Sequence, residues 1–314
     1  MQQIPIYLIT GFLEGGKTTF LSDVLTGGDF DDGQCGLLIL CEEGEEEYDE
    51  KMLAEMNISV ITVEEEAEFH VDFLKMCLKH YRPKRIFIEM NGMWDCKWLF
   101  GNEMPYELDI AQVITVVDGS TFSVYLNNMR SILSNLFLYT EMVVFNRCTE
   151  EMELQSFRRT VRGLNPRAMV YFEDEEGEPI DPGMDQPPYD LNADVIQIED
   201  IDYGLWYLDA FEAQDRYTGK KVRFRAKVMK NRHFPDGVFV PGRNAMTCCA
   251  DDIRFVGYIC KSAFADQLKS RQWIWLTATV KYEFVKDYGE VGPVLYGETY
   301  ELTGPPDEDL VYFN

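Results

Sequence analysis

The stretch GFLEGGKTTF, residues 11–20, comes directly after the apolar run IPIYLIT. Its spacing, G-x-x-x-x-G-K-T between a strand and a helix, is typical of a phosphate-binding loop. In such a loop, backbone N–H groups surround a polyphosphate, the lysine reaches the β and γ phosphates, and the threonine hydroxyl ligates Mg²⁺. The predicted nucleotide contacts in this loop are Gly11, Glu14, Gly15, Gly16, Lys17, Thr18 and Thr19.

Glu14 places a negative side chain in a loop that is predicted to hold an anion. The backbone does the wrapping, and position 14 is one of the variable positions of the motif. A carboxylate that points outward to solvent is therefore compatible with binding. The sequence predicts a chemically complete loop and leaves open whether Glu14 helps or hinders turnover.

Residues 1–175 alternate between β-rich apolar runs and helical patterns. Buried strands that alternate with helices predict an α/β fold, here a P-loop NTPase domain with a mainly parallel sheet covered on both faces. Ligands of such folds bind at the carboxyl ends of the strands. The strand-like runs are IPIYLIT, CGLLILC, ISVITV, KRIFIEM, AQVITVVD, MVVFN and AMVYF.

The pattern changes after residue 175. Residues 176–194 are rich in acidic residues, proline and glycine, which predicts a linker or a surface crossing. Residues 195–314 contain five strand-like runs and one helical pattern, around KSAFADQLKS. Five strands with a helix between the third and the fourth predict a smaller, OB-like β-barrel domain.

A second segment of the predicted nucleotide site is RIFIEMNG, residues 85–92. Its apolar strand ends in Glu89, which is predicted to support Mg²⁺ together with Thr18, while the N–H of Gly92 meets the γ-phosphate. Lys17, Thr18 and Glu89 are therefore the predicted catalytic residues.

The base of the nucleotide is predicted to be read at MVVFNRCTE. Guanine-specific pockets have N-K-x-D at this point; here Asn146 is in place and Arg147, which can stack on a base, replaces the lysine. Thr149 replaces the aspartate and cannot accept two hydrogen bonds as a carboxylate does. The sequence therefore leaves the choice between GTP and ATP open, with Glu150 as a candidate substitute.

Composition restricts the class of protein. The chain has 314 residues and a formal net charge of −26, and residues 1–194 hold 14 basic and 37 acidic residues. An acidic surface repels nucleic acid and anionic membranes, so neither is an expected partner. No apolar window is long enough to predict a membrane span. The first residues lack the basic region of a signal peptide, and the eight cysteines are expected to be reduced thiols, which favours the cytoplasm.

In order and content, ITGFLEGGKTTFL, IFIEMNGM, VITVVDGSTF and FNRCT resemble the motifs of CobW-type P-loop GTPases, a group involved in metal homeostasis. The resemblance covers about residues 3–172. It implies a GTPase that couples hydrolysis to handing over a metal ion, with a metalloprotein as a possible client.

The resemblance has two departures. One is the altered base motif, and the other concerns metal. Many members of the family carry a C-x-C-C metal motif, whereas the corresponding stretch here, SVITVEEEAEFHVDF, contains no cysteine. CEEGEEEYDE, residues 41–50, lies where the family has a switch region. Its carboxylates are candidate metal ligands, but a solvated acidic loop is the favoured interpretation.

The second half resembles a different group. GRNAMTCCADDIRFVGYIC and WIWLTATVKYE are similar to the soluble domain of YcgQ-type proteins, which are linked to a predicted permease, over about residues 215–314. The resemblance implies a permease as a possible partner.

Two cysteines in this second half are candidate metal ligands. Cys248 and Cys249 are adjacent on a predicted strand, where side chains alternate between the two faces. A thiolate together with Asp251, Asp252 or His233 would suit Zn²⁺. The alternative is that both cysteines are small, partly buried residues of the barrel.

Aromatic residues alternate along WIWLTATVKYEF. Such a stripe can be a base-stacking platform. The acidic surroundings and the strand periodicity favour packing in the core. The residues concerned are Trp273, Trp275, Tyr282 and Phe284.

Together these observations predict a nucleoside triphosphatase with slow turnover, using Mg²⁺ and GTP in preference to ATP, in metal homeostasis or in the control of a partner permease. The alternative is a regulatory module that binds nucleotide with negligible turnover and whose barrel docks a partner protein.

Overall fold

The computed structural model describes residues 3–28, 30, 32–42, 44–183, 186–246, 253–286 and 288–313. By its internal contacts the chain divides into two compact units: residues 1–154 with 167–182, and residues 155–166 with 183–314. The sequence-based division into residues 1–175, 176–194 and 195–314 stays a prediction.

The first unit is built from seven strands and the helices between them. The strands are β1 Ile4–Thr10, β2 Gly36–Leu40, β3 Ile58–Thr62, β4 Arg85–Glu89, β5 Leu108–Asp118, β6 Met142–Asn146 and β7 Met169–Phe172. The helices between β1 and β6 are α1 Lys17–Thr26, α2 Glu50–Glu55, α3 Val71–Tyr81, α4 Gly119–Asn128 and α5 Arg130–Leu138. Helix α6, Leu154–Leu164, groups almost entirely with the second unit.

The strands of the first unit form one sheet in the order β3-β2-β4-β1-β5-β6-β7, and every pair is parallel. This confirms the predicted α/β fold with a parallel sheet. Because the strands share one direction, their carboxyl ends meet at one edge. The phosphate loop after β1 therefore lies beside Glu89 at the end of β4 and Asp118 at the end of β5.

Apolar side chains on both faces of this sheet hold the helices against it. Ile6 and Leu8 belong to a buried cluster on one face, and Ile9 belongs to a cluster with Leu21 and Leu25 of α1 on the other. This two-sided burial explains why the strands are continuous apolar runs.

The second unit is mostly β. Its strands are β8 Ile196–Gln197, β9 Lys221–Met229, β10 Val238–Met246, β11 Ile253–Gly257, β12 Cys260–Lys261, β13 Trp273–Val285, β14 Glu290–Thr303 and β15 Leu310–Val311. Its main sheet has the order β11-β10-β12-β14-β13-β9-β8, and β10 also pairs with β9. A second, mostly β part is confirmed, and its OB-like closure stays a prediction.

The helices of the second unit differ from the prediction. The stretch around KSAFADQLKS contains only a 3₁₀ turn, Ala265–Gln267, so the helix expected there is wrong. Instead α7, Tyr203–Glu212, and the short α8, Gln214–Tyr217, precede β9. Trp206 of α7 is fully buried in the core of this unit, which accounts for the helix's apolar composition.

The assignment of the aromatic stripe to the core is only partly right. Tyr282 packs against the core, but Phe284 is exposed, and Trp273 and Trp275 lie on the opposite face of β13 from its buried residues. There the guanidinium of Arg225 lies 4.8 Å from the ring centroid of Trp275. The tryptophans therefore pack against cationic side chains of the neighbouring strand, not in the core.

Within the described residues, none of the helices combines the length and the apolar character that crossing a bilayer requires.

Candidate functional site

The phosphate loop joins β1 to α1 through an unusual backbone path. Gly11 and Gly16 have φ values of 145° and 91°, which favour glycine, and Glu14 is left-handed with φ 56°. A Cβ on Gly11 would lie 2.2 Å from the carbonyl oxygen of Val116 on β5. Gly16 precedes α1 and has no side chain that could cap the helix. The backbone N–H groups of the first helical turn therefore face the loop without a side-chain acceptor. This arrangement suits an anion.

Lys17 is the buried cation of the site. Its side chain is 3% exposed, and its ammonium donates to the carbonyl oxygens of Phe12 at 2.8 Å and Gly11 at 3.2 Å. The third partner is the carboxylate of Glu42, at 2.5 Å, whose side chain is 9% exposed. The lysine is thus held inside the loop that it is predicted to serve, and a carboxylate shares it.

Thr18 and Glu89 meet at the start of α1 and the end of β4. The hydroxyl of Thr18 donates to the Glu89 carboxylate at 2.9 Å. The other carboxylate oxygen accepts from the hydroxyl of Tyr48. A hydroxyl beside a carboxylate is a pair of hard oxygen ligands, which fits Mg²⁺. These two residues would hold the metal ion, and when bound it would neutralise charge on the phosphates.

Gly92 lies directly against the phosphate loop. A Cβ at this position would lie 2.3 Å from the carbonyl oxygen of Gly11 and 3.3 Å from the backbone nitrogen of Phe12. The absence of a side chain therefore permits the close approach of the two backbones. This is consistent with the predicted placing of the Gly92 N–H near a bound phosphate.

Glu14 does not simply point to solvent, as the sequence led us to expect. Its carboxylate accepts a hydrogen bond from the backbone N–H of Glu45 at 3.0 Å. Its carbonyl oxygen accepts from the guanidinium of Arg147 at 3.0 Å. The residue therefore links the phosphate loop to two other segments of the site.

The strand that is predicted to read the base, β6, contacts the phosphate loop. The amide nitrogen of Asn146 donates to the carbonyl oxygen of Gly15 at 2.9 Å, and its Oδ1 is buried with no hydrogen-bond partner among the described residues. Thr149 and Glu150 are exposed beyond the end of β6, and Thr19 is exposed on α1. Asn146 thus has one free acceptor, while the residues at positions 149 and 150 are open to solvent.

Arg147 is engaged rather than free. Its guanidinium makes an ion pair with Asp118 at 2.7 Å in addition to its bond to Glu14. Burial alone would raise the pKa of Asp118, but hydrogen bonds from Ser120 and Arg147 outweigh it and lower that pKa. Stacking on a base, the predicted role of Arg147, would require this carboxylate to share or release the guanidinium.

Glu42 and Tyr48 are the contacts that sequence reasoning missed. Both belong to the acidic stretch after β2, for which a solvated loop was the favoured interpretation, and for these two side chains that is wrong. A partial signal was present in the sequence: the stretch follows the strand-like run CGLLILC, and ligands of parallel sheets bind at the carboxyl ends of strands. The structure adds that β2 lies beside β4, so these residues reach the same edge as Glu89. Burial, reinforced by the Glu89 and Glu42 carboxylates, also raises the pKa of the Cys41 thiol to about 12.

The cavity at the phosphate loop is small. It measures about 30 Å³ and is lined by residues of the loop together with Glu42, Glu89 and Arg147. The acidic residues after β2 thus form one wall of the space in which phosphates would lie.

The predicted Zn²⁺ ligands Cys248, Cys249, Asp251 and Asp252 lie outside the described residues. His233, the remaining one, is exposed. Among the residues that the structure describes, no three His, Cys, Asp or Glu side chains are grouped to hold a metal ion. The Zn²⁺ site stays a prediction.

Two family models match the chain. The CobW/HypB/UreG nucleotide-binding domain matches residues 5–172, and the DUF1980 C-terminal domain matches residues 181–313. A comparison with curated proteins found no match.

The solved structures to which the chain is similar share little sequence with it. Zn(II)-bound YjiA GTPase from E. coli is 19% identical, with 77% of this chain and 86% of that chain covered and a TM-score of 0.44. The hydrogenase maturation factor HypB from Archaeoglobus fulgidus is 12% identical, with 55% and 82% covered and a TM-score of 0.38. The family match, which covers more than half of the chain and includes the phosphate loop, Glu89 and Asn146, shows that the chain belongs to the CobW/HypB/UreG family of P-loop nucleotide-binding proteins.

Proposed function

We propose that the protein binds and slowly hydrolyses a nucleoside triphosphate with Mg²⁺, with GTP favoured over ATP. The observation that carries the proposal is the hydrogen bond between the Thr18 hydroxyl and the Glu89 carboxylate beside the buried ammonium of Lys17. This contact supports the proposal, because a hydroxyl and a carboxylate suit Mg²⁺ and lie beside the lysine that we propose to reach the β and γ phosphates.

The chain's own residues have separate tasks in this proposal. The glycine-rich backbone and the first turn of α1 bind the phosphates, and Lys17 neutralises their charge. Thr18 and Glu89 hold the metal ion in a fixed position relative to Lys17. Asn146, whose Oδ1 accepts no hydrogen bond from the described residues, is the residue proposed to read the base.

Metal homeostasis is the proposed setting, and its support is membership of the CobW/HypB/UreG family. A metalloprotein client is the corresponding partner, and control of a permease is the alternative linked to the C-terminal half. The chain lacks the family's C-x-C-C motif at the corresponding stretch, so any metal transfer would use other ligands.

Release of inorganic phosphate from GTP and ATP, measured with and without Mg²⁺, tests the proposal. We expect Mg²⁺-dependent turnover that Thr18→Val reduces at least tenfold and Thr18→Ser largely preserves, because serine keeps the hydroxyl. Thr26→Val, on the same helix, is the matched control. Tight nucleotide binding without turnover would favour the regulatory module instead, and no binding at all would exclude both.

A further inference from the structure

The residues after β2 lie on the phosphate loop. We name Glu42 and Gly44–Tyr48 the acidic segment. Its contact with the loop's cation is the ion pair between Glu42 and Lys17, in which both side chains are nine-tenths or more buried. A γ-phosphate is also an anion that needs this ammonium. The carboxylate and the phosphate therefore compete for the same partner.

Two more bonds hold the acidic segment in this position. The Glu14 carboxylate accepts from the backbone N–H of Glu45, so the loop residue that first looked unsuited to an anion site anchors the segment. The hydroxyl of Tyr48 donates to Glu89, the second predicted ligand of Mg²⁺. The segment thus engages both groups that a nucleotide with its metal ion would use.

The acidic segment also borders the open cavity at the phosphate loop. This cavity, about 30 Å³, is lined by Glu42, Gly44, Glu45 and Glu46 as well as by Lys17 and Thr18. A phosphate group that binds at Lys17 would therefore lie against the segment and compete with the Glu42 ion pair.

We propose that the acidic segment is an internal competitor of the nucleoside triphosphate, with Glu42 as the residue that sets nucleotide affinity. It deepens the proposed function and depends on it. Occupancy of the loop by a triphosphate displaces Glu42 from Lys17 and releases Tyr48 from Glu89.

The test compares two charge-matched variants of the full chain, Glu42→Gln and Glu47→Gln. Each removes one negative charge from the same segment, but Glu47 is exposed and does not line the cavity. Binding of GTP and ATP is measured by titration calorimetry with and without Mg²⁺, alongside the melting temperature. We expect Glu42→Gln to bind the triphosphate at least tenfold more tightly than Glu47→Gln. A purely structural role for Glu42 would instead weaken binding as the loop loosens.

The outcomes separate the two proposals. If wild type and both variants bind nucleotide, and Glu42→Gln binds it no more tightly than Glu47→Gln, the proposal of an internal competitor is overturned. The proposed nucleotide site is then unaffected. Weaker binding by Glu42→Gln, even with an unchanged melting temperature, also overturns it. If Glu42→Gln fails to fold, Glu42→Asp takes its place, because a shorter carboxylate weakens the ion pair and must then raise affinity. Absence of nucleotide binding in every protein, including wild type, overturns both proposals.

Discussion

The hydroxyl of Thr18 donates to the carboxylate of Glu89 at 2.9 Å, although 71 residues separate them in the chain. The contact exists because β1 and β4 are paired in parallel, with Ile9 opposite Glu89. The first turn of α1 and the last residue of β4 therefore meet at one edge of the sheet, which brings together the groups that we propose to bind phosphate and metal.

Replacing Lys17 should cost stability as well as nucleotide binding. Lys17→Ala leaves the Glu42 carboxylate, 9% exposed, without its cation. An unpaired buried charge typically costs about 3–5 kcal/mol. The double variant Lys17→Ala/Glu42→Gln should recover most of that loss and still fail to bind GTP tightly. Urea unfolding and calorimetric titration measure the two effects. A double variant no more stable than the single one would contradict the ion pair, and wild-type affinity in Lys17→Ala would contradict the phosphate loop.

Removing the hydroxyl of Tyr48 should destabilise the first unit. Tyr48→Phe deletes the hydrogen bond to Glu89, and a bond to a charged group contributes about 1.5–3 kcal/mol. Tyr106→Phe is the control, because that side chain is 75% exposed. Chemical denaturation should show a lower free energy of unfolding for Tyr48→Phe alone; equal values for the two variants would argue against the contact.

A methyl group at Gly92 should disturb the phosphate loop. Gly92→Ala places a Cβ against the backbone of Gly11 at 2.3 Å, so the two segments must separate. We expect a loss of about 1–3 kcal/mol in stability and weaker binding of the triphosphate. Gly101→Ala, whose Cβ would meet only an ordinary contact at 3.4 Å, should change neither. Measurements of unfolding and of triphosphate binding on both variants test this expectation. Unaltered binding in a folded Gly92→Ala would refute the close approach of the two backbones.

The altered base motif should limit discrimination between GTP and ATP. A carboxylate that pairs with a base through two hydrogen bonds contributes about 1–3 kcal/mol of discrimination. Thr149→Asp, at an exposed position after β6, should raise the preference for GTP about 10-fold to 100-fold, whereas Thr149→Asn should not. Competition titrations of GTP against ATP measure this preference for the two variants. Should wild type already prefer GTP by more than about a thousandfold, or about 4 kcal/mol, another residue reads the base.

Alkaline pH should destabilise the protein through its buried thiols. Burial raises the pKa of Cys148 from its ordinary value of 9.0 to about 12. Between these values the unfolded chain releases a proton that the folded protein keeps, so the free energy of unfolding falls as pH rises, by up to about 1.4 kcal/mol per pH unit. Cys148→Ala should show a shallower fall between pH 9 and 11, and Cys35→Ala, at a partly exposed position, is the control. Parallel curves for wild type and Cys148→Ala would contradict the thiol's role.

The alternation of apolar runs and helical patterns was enough to predict the parallel sheet, because strands buried on both faces need a continuous apolar sequence. The spacing of Gly11, Gly16, Lys17 and Thr18 predicted the phosphate loop for an equally local reason: consecutive residues must follow one backbone path. In the second unit, local pattern located β9, β10, β11, β13 and β14, missed the two-residue strands β8 and β15, and misplaced the helix. KSAFADQLKS has a helical pattern but forms only a short 3₁₀ turn, while Trp206 in α7 finds its partners far away in the chain.

What the sequence by itself determined is therefore the alternation of strands and helices in the first unit and the loop between β1 and α1, whose chemistry is carried by neighbouring residues. Only the tertiary structure decided the partners of each charge. It places Glu42 on Lys17, Tyr48 on Glu89, and Arg147 on Asp118, with separations of 25, 41 and 29 residues. Sheet order and register fix these distances in space, and nothing in local propensity or spacing encodes which of many carboxylates reaches a given cation.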